Sequence, residues 1–563
     1  MDCRERILSN DYYDVITDFP FNVERQEEFD LCFTIIDNQY SLIYVNREGV
    51  QDLEENFFAY QRIPKLYAPM QEAFDSYDWY VSGIVSAQRP PLDLDGTGVV
   101  ICIPDSGIDY RNPAFRNGNG DTRILAIWDQ TIQTGTPPEL FSYGSVYTRE
   151  DINRALRSDN PYEIVPSRDE TGHGTQMAGI ACGYVENRYV GSAPGAQLVI
   201  IKLKEAKEYL REFYLIAEGA VAYQENDIMA AMAFGDTFAR TFRRPVVSCL
   251  GVGTNQGDHN GSSVLSLYLN ELSLRRSRGV VVCGGNEGNA GHHYQGLLRN
   301  EADARERLTE EVELRVEEGV TGFVLEFWGN APDIYTVEVE TPGGERAAAS
   351  PLQLQQSITY PFVYDDTILT VDSELVESSS GEQLMLFRLE NPTPGVWTFR
   401  VTARGAVYNG IFHMWLPVTS FLGRLAYFLE PTPFVTLTEP GMTREVITTS
   451  TYNANDNSFY LNSGRGFTRS ETVKPELAAP GVNISTLQGK NTGSSLAAAL
   501  TAGAVALFFQ WAVIEGNNEV VETREIKNYL IRGAERETDE EYPDRQWGYG
   551  TLDLYTVFER LRG

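Results

Sequence analysis

Three short glycine-bearing segments carry residues that could do chemistry together. They are Pro104–Asp109 (Pro-Asp-Ser-Gly-Ile-Asp), Gly172–Thr175 (Gly-His-Gly-Thr) and Gly493–Ala499 (Gly-Ser-Ser-Leu-Ala-Ala-Ala). Each supplies one member of an acid–base–nucleophile set: Asp105, His173 and Ser495. A serine hydroxyl is a poor nucleophile until an imidazole takes its proton, and the imidazole needs a carboxylate to fix its tautomer. Taken singly, each residue has an ordinary explanation: a helix-capping serine, a structural histidine, a turn-capping aspartate. In this order, among small neighbours that let backbone approach a substrate, the three read as machinery for acyl transfer. Ser495 precedes an alanine-rich helix, whose N-terminus favours an anion. A fourth segment, Cys283-Gly-Gly-Asn-Glu-Gly288, offers Asn286. Its amide could donate to a developing oxyanion, a contact whose loss costs about 3 kcal/mol; otherwise it is a turn residue.

These residues need a scaffold, and apolar runs supply one. Val99–Ile103, Gln197–Leu203, Pro245–Leu250 and Gly279–Gly284 are rich in Val, Ile and Leu, with helical stretches at 227–238 and 264–276 between them. Buried β-branched runs alternating with helices predict a mostly parallel sheet covered on both faces, an α/β fold. Chemistry in such sheets gathers at the carboxyl ends of the strands, where Asp105 and Asn286 fall. His173 opens a segment, 174–181, suited to a helix on the sheet. From residue 297 the texture changes to short alternating strands separated by turn signals, predicting an inserted antiparallel, jelly-roll-like β-sandwich over 297–437. Residues 1–75 predict a separate α+β unit with a hairpin around Asp37–Gln39, and Arg62–Tyr80 reads as an irregular linker. The expected organisation is 1–75, then a catalytic unit in two parts, 76–296 and 438–563, flanking the sandwich.

Composition narrows the function. With 46 Lys and Arg against 79 Asp and Glu, the net charge is −33, which argues against nucleic acid and favours solubility or a basic partner. The N-terminus lacks a basic start followed by an apolar core, so no secretory signal is visible and a cytoplasmic protein is expected. Leu496–Ile514 is long enough for a membrane span but is better explained as a buried helix behind Ser495. The six cysteines, Cys3, Cys32, Cys102, Cys182, Cys249 and Cys283, form no Cys-x-x-Cys pair and are expected to be reduced.

The four segments resemble those of the subtilisin-like serine proteases, the subtilases, including the Asp, His, Ser chain order. The resemblance runs through about 95–295 and 438–555 and implies a serine endopeptidase. By position it makes Asp105 the residue orienting the imidazole, His173 the general base and acid, Ser495 the nucleophile and Asn286 the oxyanion-hole side chain. It also implies that Cys249, Leu250 and Gly251 form the strand that pairs with substrate backbone. Ser494 replaces the usual Thr, and Ala499 the usual Pro. Ala114 stands where many members have a calcium-binding Asp, and the loop after His173 is short, so the strong calcium site is not carried over and no cofactor is expected to be required. The N-terminal segment, the inserted sandwich and the ending Arg524–Ala534 are similar to those of the clostridial Csp germination proteases. That likeness implies cleavage of a cortex-lytic zymogen during spore germination, and a propeptide that autocleaves and stays bound; by spacing from Asp105 the cut is expected near residues 68–80. Two rivals remain: a catalytically silent scaffold acting as a binding or signalling protein, and a metallohydrolase using His292-His293. The latter lacks a His-Glu-x-x-His pattern, and adjacent histidines rarely reach one metal.

Overall fold

The computed structural model describes residues 3–18, 32–47, 60–70, 80–299, 308–347 and 355–562. The apolar runs pair side by side in parallel, in the order Ile447–Asn453, Arg278–Cys283, Val246–Leu250, Val100–Asp105, Gln197–Lys202, Ile124–Asp129. Leu477–Pro480 adds in parallel beside Ile447–Asn453, and Ser145–Thr148 lies antiparallel at the far edge. Side chains alternate between the two faces. Ile101, Ile103, Leu198, Ile200, Val281 and Cys283 join a core with the helices His173–Cys182 and Ser494–Phe509. Val100, Cys102, Val199, Ile201, Val280 and Val282 join one with Glu225–Phe242 and Val264–Ser273. A strand buried on both faces must be apolar at every position, which is why these runs show no polar alternation.

The helix Ser494–Phe509 is buried along its whole length. With its extension to Ile514 it is long and apolar enough to cross a membrane. Being apolar all round, it suits the interior position it occupies against the central strands.

Strands between His293 and Phe428 build the sandwich. One antiparallel sheet runs His293–Leu297, Ile411–Trp415, Gly322–Gly329, Gln383–Glu390, Ile368–Glu374, Gln355–Pro361; the other runs Arg346–Ala347, Tyr335–Glu340, Gly395–Ala403, Thr309–Val316, Ala426–Phe428. Phe323, Leu325 and Phe327 face Val337, Trp397 and Phe399 in a shared core. The opposite face of Gly322–Gly329 is also buried: Val324 and Trp328, with Leu384 and Trp415, belong to the core of the catalytic unit.

At the N-terminus, the helix Cys3–Leu8 packs with a three-stranded antiparallel sheet ordered Tyr12–Thr17, Ser41–Asn46, Cys32–Ile35. The expected hairpin forms around Asp37, whose Oδ1 accepts from the backbone of Gln39 and Tyr40 at 2.9 Å each. Two expectations fail in this region. Cys3 and Cys32 are joined in a disulfide, where reduced thiols were expected; the fold brings a helix and a strand together that spacing alone does not connect. Cys102, Cys182, Cys249 and Cys283 are free, as expected, and all four are buried. The stretch read as an irregular linker contains a strand, Leu66–Pro69, held between Tyr223–Gln224 and Val252–Gly253. Pro69 and the shortness of the segment hide it in the sequence; pairing on both sides makes it a strand.

Candidate active site

Asp105 ends the strand Val100–Asp105, and its Oδ1 accepts from Ser106 N at 2.7 Å. His173 is the first residue of its helix, after Gly172 at φ +80°, a left-handed position suited to glycine. Gly174 is needed for a different reason. A Cβ there would lie 2.2 Å from the carbonyl oxygen of Gly107, so only glycine lets the helix start against the Asp105 loop.

The structure brings the three distant residues into line. His173 Nδ1 lies 2.7 Å from Asp105 Oδ1, and His173 Nε2 lies 3.0 Å from Ser495 Oγ. A carboxylate can only accept, so Nδ1 carries the proton and Nε2 is the free base. All three side chains are buried. Burial by itself lowers the His173 pKa, but the Asp105 carboxylate, its hydrogen bond and the more distant Asp169 outweigh this and hold it above the ordinary value. Ser495 sits in the first turn of Ser494–Phe509. Asn286 Oδ1 accepts from Ser494 N at 3.1 Å, which fixes the amide beside the nucleophile and leaves its NH2 group as a donor.

Asp169 was not singled out in the sequence, yet it ties the loops together. Its Oδ1 accepts from Ser106 Oγ and Gly172 N, both at 2.8 Å; its Oδ2 accepts from Thr175 N at 2.9 Å and Thr175 Oγ1 at 2.6 Å. Ser106 Oγ in turn accepts from Gly174 N at 3.0 Å. One carboxylate thus clamps the residue after Asp105 to both flanks of His173. The signal available was an aspartate four residues before a Gly-flanked histidine.

A segment of the chain itself fills the cleft. Leu66–Pro69 is the middle strand of a three-stranded antiparallel sheet, with Tyr67 opposite Tyr223 and Pro69 opposite Val252. Met70 N donates to Gly251 O at 3.1 Å. The Met70 carbonyl oxygen lies 2.9 Å from Ser495 Oγ and 3.4 Å from Ser495 N. This geometry corrects the expected pairing strand. Of Cys249, Leu250 and Gly251, only Gly251 meets the segment, and the pairing continues through Val252 and Gly253. Cys249 and Leu250 pair with Val281 and Val282 inside the parallel sheet, which the chain leaves only after Leu250.

The two adjacent histidines point to separate partners: His292 Nδ1 is 2.9 Å from Glu287 Oε2, and His293 Nε2 is 2.9 Å from His413 Nδ1. Among the described residues, no group of three or more His, Cys, Asp or Glu side chains is placed to hold a metal ion. Burial pushes the Cys102 and Cys283 thiols up to about 12, leaving them inert.

The model of the subtilase family (peptidase S8) matches residues 96–308 and 430–550, more than half of the chain. The solved structure of the Clostridium perfringens CspB protease is similar at 30% identity and a TM-score of 0.75, over 86% of this chain and 98% of that one. The patellamide maturation protease PatA matches at 11% identity and a TM-score of 0.40, over 83% and 98% of the two chains. MycP1 from Mycobacterium smegmatis matches at 12% identity and 0.34, over 88% and 89%. No curated protein sequence matches. The chain belongs to the subtilase family: it is a serine endopeptidase with a protein or peptide substrate.

Proposed function

We propose that this subtilase cuts its own chain after Met70 and keeps the released N-terminal segment as a bound, product-like plug. The observation that carries this reading is the Met70 carbonyl, set 2.9 Å from Ser495 Oγ at the end of an antiparallel strand. The chemistry follows from the positions. As Ser495 Oγ adds to the Met70 carbonyl carbon, His173 Nε2 takes its proton, and Asp105 stabilises the imidazolium. The oxyanion accepts from Ser495 N and the Asn286 amide. Collapse breaks the Met70–Gln71 bond, and His173 returns the proton to the Gln71 nitrogen. Water, deprotonated by His173, then splits the acyl-enzyme and leaves the Met70 carboxylate and a regenerated Ser495.

Retention is supported by how the N-terminal unit is held. Asp14 is buried and accepts from Lys207 Nζ and Gln224 Nε2, both at 2.6 Å, while Asp14 N donates to Tyr209 Oη at 2.8 Å. The plug buries Ser495, so the processed enzyme is self-inhibited until the plug yields.

The likeness to the Csp group extends to the role: cleavage of a cortex-lytic zymogen during spore germination, by a cytoplasmic or spore-associated enzyme. The test is to incubate the purified protein with such a zymogen, and separately with a fluorophosphonate probe. Wild type should convert the zymogen while Ser495→Ala does not, and labelling of Ser495 should rise when the 1–70 fragment is displaced. A folded wild type that neither labels nor cleaves after displacement is a silent scaffold, and the reading fails.

A further inference from the structure

Six residues before the scissile bond, counting Met70 as the first, the plug presents Lys65, which is 1% exposed. Its backbone is gripped on both sides by one residue of the catalytic unit: Glu225 N donates to Lys65 O at 2.8 Å, and Lys65 N donates to Glu225 Oε2 at 3.1 Å. Its ammonium group is 3.7 Å from the same Glu225 oxygen and lies over the Tyr60 ring, 4.5 Å from the centroid. It has no hydrogen-bond partner of its own. A buried ammonium without hydrogen bonds is costly, so its surroundings must compensate.

They do so with acidic side chains, the nearest being Glu225. The cavity around Lys65 is walled by Gly257, Asp258, Ser263 and Trp328 of the enzyme and by Tyr60 of the plug itself. Behind this wall lie Glu326 and Glu439, both buried. Glu326 comes from the inserted sandwich and accepts from Tyr60 Oη at 2.6 Å and from Gly257 N and Trp328 Nε1 at 3.0 Å each. Glu439 accepts from Ser266 Oγ at 2.6 Å. Burial raises the pKa of Glu326 to about 7 and of Glu439 to about 8, and the Lys65 charge opposes both shifts. Glu225 thus pairs with the Lys65 ammonium, while Asp258 faces the buried Arg469 as well, and the sandwich and the catalytic unit supply the surrounding acids jointly.

We propose that this pocket is a specificity site which recognises a lysine at the sixth position before the cleaved bond, in the plug and in any protein substrate that replaces it. The proposal rests on the reading that residues 60–70 occupy the cleft as substrate does. A peptide lacking the cation would leave the buried Glu225 carboxylate with backbone N–H donors alone and no opposite charge. The pocket lies beyond the strand pairing of Leu66–Pro69, so it selects sequence without touching the reacting atoms. It also gives the inserted sandwich a part in substrate choice.

The test compares full-length wild type, Lys65→Met and Glu225→Gln for cutting at Met70–Gln71 and for co-elution of the 1–70 fragment in gel filtration. Lys65→Met should slow cutting or release the fragment at least tenfold. As a second measurement that does not depend on a variant folding, two hexapeptides compete for the wild-type cleft: Lys-Leu-Tyr-Ala-Pro-Met and the same peptide with norleucine in place of lysine. The lysine peptide should displace the fragment at a concentration at least tenfold lower, and this advantage should vanish in Glu225→Gln. Equal potency of the two peptides, with wild type cutting normally, overturns the lysine site alone. A wild type that does not cut at Met70–Gln71 overturns the underlying reading instead.

Discussion

Replacing Asp169 by Asn should damage catalysis from a residue that touches none of the reacting atoms. The side chain keeps its shape, but one acceptor oxygen becomes an NH2 donor. That donor must face either Ser106 Oγ and Gly172 N or Thr175 Oγ1 and Thr175 N. A hydroxyl can rotate to accept, whereas a backbone N–H cannot, so one N–H beside His173 loses its partner. Leaving such a group unsatisfied costs about 1–3 kcal/mol. If that strain is relieved by a shift of the His173 loop, kcat falls by roughly 10- to 100-fold. The lost charge acts separately. Asp169 helps to raise the His173 pKa, so the variant's imidazole should stay neutral to lower pH. Because the neutral imidazole is the active base, the acid limb of the kcat/KM profile should move to lower pH. The assay is cleavage of a fluorogenic peptide containing Tyr-Ala-Pro-Met over pH 5–9 by enzyme from which the 1–70 fragment has been displaced, with a thermal melt beside it. A lower kcat, little change in KM and a limb displaced to lower pH are expected. A normal kcat, or an unmoved limb with only KM raised, would refute the clamp.

Gly174→Ala should abolish self-cutting at least 100-fold, because the new Cβ meets the Gly107 carbonyl 2.2 Å away and pushes His173 off Asp105; intact-mass analysis reads the uncut chain. Asp14→Ala leaves the buried Lys207 ammonium without its carboxylate, a loss of about 3–5 kcal/mol at the docking face, so the 1–70 fragment should separate from the processed enzyme in gel filtration, and continued co-elution would count against that anchor. Acid should unfold the junction between sandwich and catalytic unit. Burial, joined by mutual repulsion and Arg469, lowers the pKa of His259 to about 4, of His293 to about 3, and of His413 well below the usual value. Below the unfolded value of about 6.5 the unfolded chain binds protons that the folded chain refuses, so stability falls as pH falls, by about 1.4 kcal/mol per pH unit for each ring. His413→Asn should reduce the slope of unfolding free energy against pH between 6 and 4.5 by about that amount, and an unchanged slope would show that the ring does not titrate on unfolding.

Much of this site is legible before any folding is considered. Asp105, His173, Ser495 and Asn286 lie on segments whose glycines and flanking apolar runs mark the ends of strands and the start of helices, and burial on both faces makes those runs continuous. The parts that escape the sequence are those made by tertiary contact. Leu66–Pro69 carries a proline and becomes a strand only because Tyr223–Gln224 and Val252–Gly253 pair with it. Asp169 looks like one acid among many until its five hydrogen bonds are placed. Strands such as Ile368–Glu374 and Ile411–Trp415 are hidden for a similar reason: they carry Asp372, Glu374 and His413 inside the structure, where partners across the sheet and the domain junction satisfy them. Cys3 and Cys32 are separated by 29 positions and meet only through the packing of helix on sheet.

The central claim is that Ser495, His173 and Asp105 act on the Met70 carbonyl that lies in front of them. Mass analysis with N-terminal sequencing of the purified chain tests it most directly. Wild type should yield a fragment ending at Met70 and a large chain beginning at Gln71, while Ser495→Ala and His173→Ala remain whole. The same cut in Ser495→Ala, or a wild type cut elsewhere with Met70–Gln71 intact, would contradict the account.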